Sequence, residues 1–210
     1  MKSIITKLIN GDTIEDISEE IQFTKEQLEE PASEITKRYK KQGLGQHVFD
    51  KSKDAPKKTT ENAHEFDERG KHPRTFVKMP HYLRYYSYMV DYGVKDSAIL
   101  MYQLIIDFYN ASEGKSYPSQ YVLALQSGKS IRNVVGTLKA LKDVGLIEVR
   151  RTSIGSSNEY RPLTPLPPEE LFTRYPQALK RLIKNHAMIT EKRERDFKRR
   201  EEKKKESKWE

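Results

Sequence analysis

Apolar residues recur along the chain in runs whose period changes, and the changes mark the elements. Ile4, Ile5 and Leu8 make a first short helical stripe, which Asn10-Gly11-Asp12 breaks. Thr13 is a candidate N-cap for a second helix, with Asp16 at the capping-box position and Ile14, Ile17 and Ile21 on one face. Phe23-Thr24 forms the next turn, and a third helix starts at Lys25. Residues 44–74 hold no sustained period and read as a flexible linker. From Thr75 the texture changes. "TFVKMP" is an extended piece ended by Pro80, and Tyr82, Tyr85, Tyr86 and Met89 fall at the spacing of one helix face. Ala98, Met101, Tyr102, Ile105, Phe108 and Tyr109 then line a strong helix, widened by Leu100 and Leu104 and stopped by Gly114. This is the expected central helix of the main core.

The next forty residues are the most structured stretch of pattern. Ser119 caps a helix barely two turns long, "QYVLALQ", and Ser127-Gly128-Lys129 turns the chain. Ser130 caps the following helix, in which Ile131, Val134, Val135, Leu138, Leu141 and Val144 predict an unbroken buried stripe. Ser130, Arg132, Asn133, Gly136 and Thr137 are left on the outward side. Gly145 ends this helix. "LIEVRR" alternates as a half-buried strand, "TSIGSSN" is a turn-rich loop, and "EYRPL" returns with Tyr160 on the core side and Pro162 at an edge. A proline-rich crossing, "TPLPPEELFTRYPQ", leads to a helix from Gln177 onward. Leu179, Leu182, Ile183, Met188 and Ile189 give it one apolar stripe for docking or dimer formation.

Composition limits how much of this can be core. Of 210 residues, 35% are apolar and 33% charged, so a core of ordinary density cannot extend over the whole length. The expected organisation is a small helical module at 1–43, the linker at 44–74, a main domain at 75–165, and a crossing with a charged helix at 166–210. Net charge is +8, which points towards a polyanion. Residues 179–210 hold 13 Lys/Arg against 7 Asp/Glu, net +6, and are nearly all charge beyond Thr190. Glu191/Arg195, Glu194/Lys198 and Glu201/Lys205 are spaced for ion pairs on a solvated helix, which either adds sequence-blind DNA affinity or keeps the chain soluble. With no cysteine, disulfides, thiolate nucleophiles and cysteine zinc sites are excluded. The start is too acidic for a signal peptide and no apolar run approaches the ~18 to 20 residues of a membrane span. A soluble cytoplasmic protein without membrane contact is expected.

No catalytic set is visible, and neither enzyme activity nor a cofactor is expected. His47, His64 and His72 match no metal-ligand spacing. The Tyr82–Tyr86 cluster would need a histidine triplet to serve as a strand-cleaving centre, and "KHPRTFVKMPHYL" supplies none, so these tyrosines are read as packing. Residues 1–43 resemble a small helix-turn-helix layout. The helix that would enter a groove nonetheless carries Glu26, Glu29 and Glu30, which repel phosphate, so a module for protein contacts or self-association is the preferred reading.

The outward set after Ser130 is small, hydrogen-bonding and positive, with no acid until Asp143. A helix fits the DNA major groove, where arginine binds guanine bidentately and asparagine does the same with adenine. Gly136 costs about 1 kcal/mol of helix propensity relative to alanine, and close approach to sugar-phosphate is one reason to tolerate it. Arg150, Arg151 and Arg161 would line the hairpin beside this face, and Ser153, Ser156, Ser157 and Asn158 could donate to phosphates.

The segment "YPSQYVLALQSGKSIRNVVGTLKALKDVGLI" resembles the winged helix-turn-helix pattern of bacterial DNA-binding proteins in its Tyr-Pro-Ser-Gln head, Leu-Ala first helix, Gly-x-Ser turn and Gly-Leu-Ile strand entry. With "FVKMPHYL" and the long helix in front, residues 75–163 are similar to the winged-helix domains of plasmid and phage replication initiators and related regulators. The resemblance implies a mainly α fold with a three-helix core and a β-hairpin wing over Leu146–Leu163. It further implies a recognition helix after Ser130 and double-stranded DNA as partner in a bacterial, nucleoid- or plasmid-associated setting. The implied contact set is Lys129, Ser130, Arg132, Asn133, Thr137, Arg150, Arg151, Ser153, Ser156, Ser157, Asn158 and Arg161. A second copy of the chain and a replication or transcription protein are further candidate partners. Ser127 and Lys129 depart from the pattern's apolar residues, which predicts looser packing at the turn, with Leu125 either compensating or exposed for a partner.

Overall fold

The computed structural model describes residues 2–10, 23–40, 79–110, 113–151 and 158–206. The linker reading at 44–74, the helix expected after Thr13 and the hairpin loop therefore lie outside the described residues. Among the described residues the protein is mainly helical, with one small two-stranded antiparallel sheet. Its helices are α1 (Lys2–Asn10), α2 (Lys25–Glu29), α3 (Ala32–Lys40), α4 (Asp96–Asp107), α5 (Gln120–Ser127), α6 (Ile131–Asp143), α7 (Pro168–Arg174) and α8 (Pro176–Glu206). The strands are β1 (Ile147–Arg151) and β2 (Asn158–Pro162).

The chain divides into two compact units, Met1–Glu29 with Pro168–Glu210, and Glu30–Pro167. The helices of 1–43 are thus shared between them. In the first unit α1 buries Ile5 and Leu8 and packs on α7, while α2 packs on α8 and the Leu28 carbonyl oxygen accepts from the Gln177 side-chain amide. A reciprocal capping box starts α2: Thr24 Oγ1 accepts from Gln27 N–H at 3.3 Å, and Gln27 Oε1 accepts from Thr24 N–H at 3.1 Å. Both α7 and α8 begin with proline, whose fixed φ suits the first helical position. The proline-rich crossing consequently holds a helix of its own, and α8 starts one residue before the expected Gln177. Leu179 and Leu182 are buried, whereas Met188 and Ile189 are exposed.

The second unit holds the main core. Residues His81–Tyr88 and Val90–Tyr92 are 3-10 helical. Three residues per turn put Leu83, Tyr86 and Met89 inward, while Tyr82 is exposed and Tyr85 half-buried, which corrects the four-residue spacing read from the tyrosines. Arg84 lies over the Tyr85 ring, 5.0 Å from its centroid. Helix α4 buries Ala98, Met101, Tyr102, Ile105 and Ile106, and ends at Asp107, well before Gly114. The Tyr102 hydroxyl donates to the Leu163 carbonyl oxygen at 2.6 Å, and the Tyr86 hydroxyl accepts from Leu166 N–H at 3.1 Å, tying the segment after the sheet to the helical core.

Helices α5 and α6 each start at a serine whose Oγ accepts a backbone N–H, Ser119 from Val122 at 3.2 Å and Ser130 from Asn133 at 3.3 Å. Gly128, with φ 64°, closes α5 in the left-handed conformation that lets α6 start after a three-residue turn. On α6, Val134, Leu138 and Leu141 are buried, followed by Val144. Ile131 and Val135, expected inside, are 38% and 47% exposed. Six apolar positions at those offsets subtend more of the helix than α4 and α5 cover, so the two nearest the outer edge stay in solvent.

In the hairpin, Ile147 pairs with Pro162, Glu148 with Arg161, Val149 with Tyr160, Arg150 with Glu159 and Arg151 with Asn158. Ile147 and Tyr160 point into the core. The segment before α5, read as a loop from sequence, extends this pairing: Ser116 and Tyr160 exchange backbone hydrogen bonds at 2.8 and 2.9 Å. Helix α3 packs against the end of α6, where the Thr36 hydroxyl donates to the Asp143 carbonyl oxygen and a Cβ on Gly145 would sit 3.1 Å from Thr36 Cγ2.

Candidate nucleic-acid interface

Residues 114–142 contain no aspartate or glutamate, although the chain has 31 acids, and five cations fall in them: Lys115, Lys129, Arg132, Lys139 and Lys142. At 3.6 residues per turn, Arg132, Gly136 and Lys139 share the side of α6 opposite the buried stripe, with Val135 and Lys142 at its edge towards Leu138, and all five are exposed. Arg132, Lys139 and Lys142 form no ion pair among the described residues. Arg132 and Lys139 are therefore uncommitted among the described residues, while Lys142 borders a cleft that also holds Glu148 and Glu159.

The expected contact residues separate into groups. Lys129, Ser130, Arg132 and Asn133 are exposed at the turn and first turn of α6, but the Ser130 hydroxyl already serves as the helix cap. Asn133 is exposed like Arg132, whereas Thr137 is half-buried rather than outward, because it adjoins the stripe of Val134, Leu138 and Leu141. Val135, Lys139 and Lys142 are absent from the sequence-based set. Extending the outward positions by +3, +7 and +10 from Arg132 along the full thirteen residues of α6 finds all three.

The hairpin is more balanced than its arginines suggest. Glu148, Arg150, Glu159 and Arg161 share one face of the strands, since they alternate with the inward Ile147, Val149 and Tyr160. Arg161 pairs with Glu148 at 3.4 Å, and Lys115 pairs with Glu159 at 2.9 Å. The Lys115 ammonium, hydrogen-bonded to it, holds the Glu159 carboxyl below its ordinary value, with Arg150 and Arg161 adding to the effect. These groups and Lys142 line a cleft of about 350 Å³. Arg151, across from Asn158, is exposed at the end of β1. The half-buried Asn158 amide donates to the Tyr160 hydroxyl at 3.3 Å, so it is engaged within the hairpin. Ser153, Ser156 and Ser157 lie outside the described residues.

Two side chains on α5 stand out against this polar surface: Tyr121 and Leu125, one turn apart, are 77% and 83% exposed. Leu125 therefore does not compensate for Ser127 in the packing. Among the described residues no His/Asp/Glu group has the grouping to hold a metal ion, and no helix is long and apolar enough to cross a membrane. Comparison with protein-family models, curated proteins and solved structures finds no match to this chain.

Proposed function

We propose that the chain binds double-stranded DNA in a sequence-dependent way, with residues 75–165 acting as a winged helix. In this reading α6 enters the major groove, the β1–β2 hairpin is the wing, and the protein is a transcriptional regulator or a plasmid or phage replication initiator. The observation that carries it is the outward face of α6, where Arg132 and Lys139, with no ion pair among the described residues, lie with Val135 and Gly136 without an acid until Asp143, and Lys142 follows at its edge beside the hairpin. A guanidinium at Arg132 suits bidentate contact with guanine, and the ammonium groups of Lys139 and Lys142 suit phosphates. The hairpin contributes through Arg151 first, because Arg161 and Arg150 each face a carboxylate across the ladder.

Footprinting on a duplex selected from a random pool tests the reading. One defined protected site is expected, and Arg132→Ala should change the preferred base at one position and weaken binding by about 1–3 kcal/mol. Uniform coating of all duplexes would sink it.

Tyr121 and Leu125 favour a second reading, in which α5 docks a replication or transcription protein. Under that reading, partner capture survives Arg132→Ala but is lost in Leu125→Ser, while the DNA footprint responds the other way.

A further inference from the structure

Five glycines fall among the described residues, and four of them have a conformational reason to be glycine. Gly93, Gly114, Gly128 and Gly145 all have left-handed φ, between 64° and 84°. Gly136 does not. It is the sixth residue of the thirteen in α6, away from both ends, in ordinary helical conformation and exposed. A Cβ built on it would meet nothing within 4 Å, so the packing of the chain does not require the bare backbone either. Glycine inside a helix is less favourable than alanine, and nothing within the described residues offsets that cost. The neighbouring Val135, at the uncovered edge of the apolar stripe, leaves a β-branched side chain 47% exposed beside this charged surface. Both stand beside Arg132 and Lys139 on the face that carries no acid.

We propose that Val135 and Gly136 are where a duplex comes closest, with Val135 reading the 5-methyl group of a thymine and the bare backbone at Gly136 admitting the edge of the groove. The inference rests on duplex reading by α6 and names what that face selects. Surrounding cations call for a polyanion, and the thymine methyl is the apolar feature that a major groove presents next to base acceptors.

The test uses the full chain and a site enriched from a randomised duplex pool, with binding followed by fluorescence anisotropy. Gly136→Ala should raise the melting temperature by about 2–4 °C and weaken site binding by about tenfold. Gly136→Ser should weaken binding similarly, which separates an effect of bulk from one of hydrophobicity. Replacing dT by dU, one position at a time, should cost the unmodified protein about fourfold at one position and cost Val135→Ala nothing there. The inference is overturned if Gly136→Ala binds as tightly as the unmodified protein, if it lowers the melting temperature, or if dU costs both proteins equally. A pool that yields no enriched duplex at all would overturn the DNA reading itself, and is distinguishable because no site then exists on which to compare variants.

Discussion

Tyr102 is a fully buried residue whose hydroxyl donates to the Leu163 carbonyl oxygen, so the contribution of that bond can be isolated by removing a single atom. Burial pushes this hydroxyl well above its ordinary pKa, which keeps it a donor across the working pH range. Tyr102→Phe keeps the ring packing and leaves the carbonyl without that donor, an expected loss of about 1–2 kcal/mol in urea unfolding. Tyr102→Ala adds a cavity and should cost about 3–5 kcal/mol. Glu159 supplies a pH-dependent counterpart. Its folded carboxyl titrates below the ordinary 4.5, so the ion pair with Lys115 adds stability above that value, and this is lost as pH falls through the folded pKa. Thermal melts from pH 6 down to about pH 3 should therefore show a shallower decline for Glu159→Gln than for the unmodified protein. Parallel declines would mean that the pair contributes nothing measurable. Neither interaction is legible in the sequence, because Tyr102 with Leu163 and Lys115 with Glu159 are brought together only by tertiary structure.

Elements are legible where one period runs cleanly and one surface covers it. The serine caps of α5 and α6, the glycine at their turn and the pairing of the two strands follow from local chemistry that the sequence states openly. Two elements mislead, since apolar residues mark what can be buried without fixing the exact helical repeat or how much cover arrives. The tyrosines of 81–89 take the three-residue repeat of a 3-10 helix, and α6 leaves Ile131 and Val135 outside. An outward face followed only over the first turns of α6 stops short of Lys139 and Lys142, which is why the sequence-based set lacks them. At the α5–α6 turn the element-scale prediction is direct. A Cβ added at Gly128 would meet nothing within 4 Å, yet φ there is +64°, so Gly128→Ala should cost about 1 kcal/mol through backbone conformation alone. Ser119→Ala should cost about the same by releasing the Val122 N–H. Chemical denaturation of the two variants and their double mutant checks both, and a Gly128→Ala protein as stable as the unmodified one would refute the strain argument.

For the molecule as a whole, composition anticipates a chain that cannot be core throughout, and the long charged end of α8 fits that limit. Net charge alone does not locate the interface. The surplus is largest in residues 179–210, yet those cations are interleaved with acids, and Glu191 pairs with Arg195 at 3.6 Å. The α6 face carries fewer cations, but none is neutralised by an ion pair among the described residues. A polyanion should respond to that difference in kind rather than to the total. If Lys139 and Lys142 each displace a counterion from a phosphate, converting both to alanine should reduce the slope of log K against log salt by about 2, with the ranking of DNA sequences kept. Arg132→Ala should alter the ranking as well, because its contact is to a base edge. Titrations at several salt concentrations with the selected duplex and a scrambled one measure both quantities. An unchanged slope in the double lysine variant would mean that the phosphates are held elsewhere, and the acid-free face of α6 would lose its claim to the backbone.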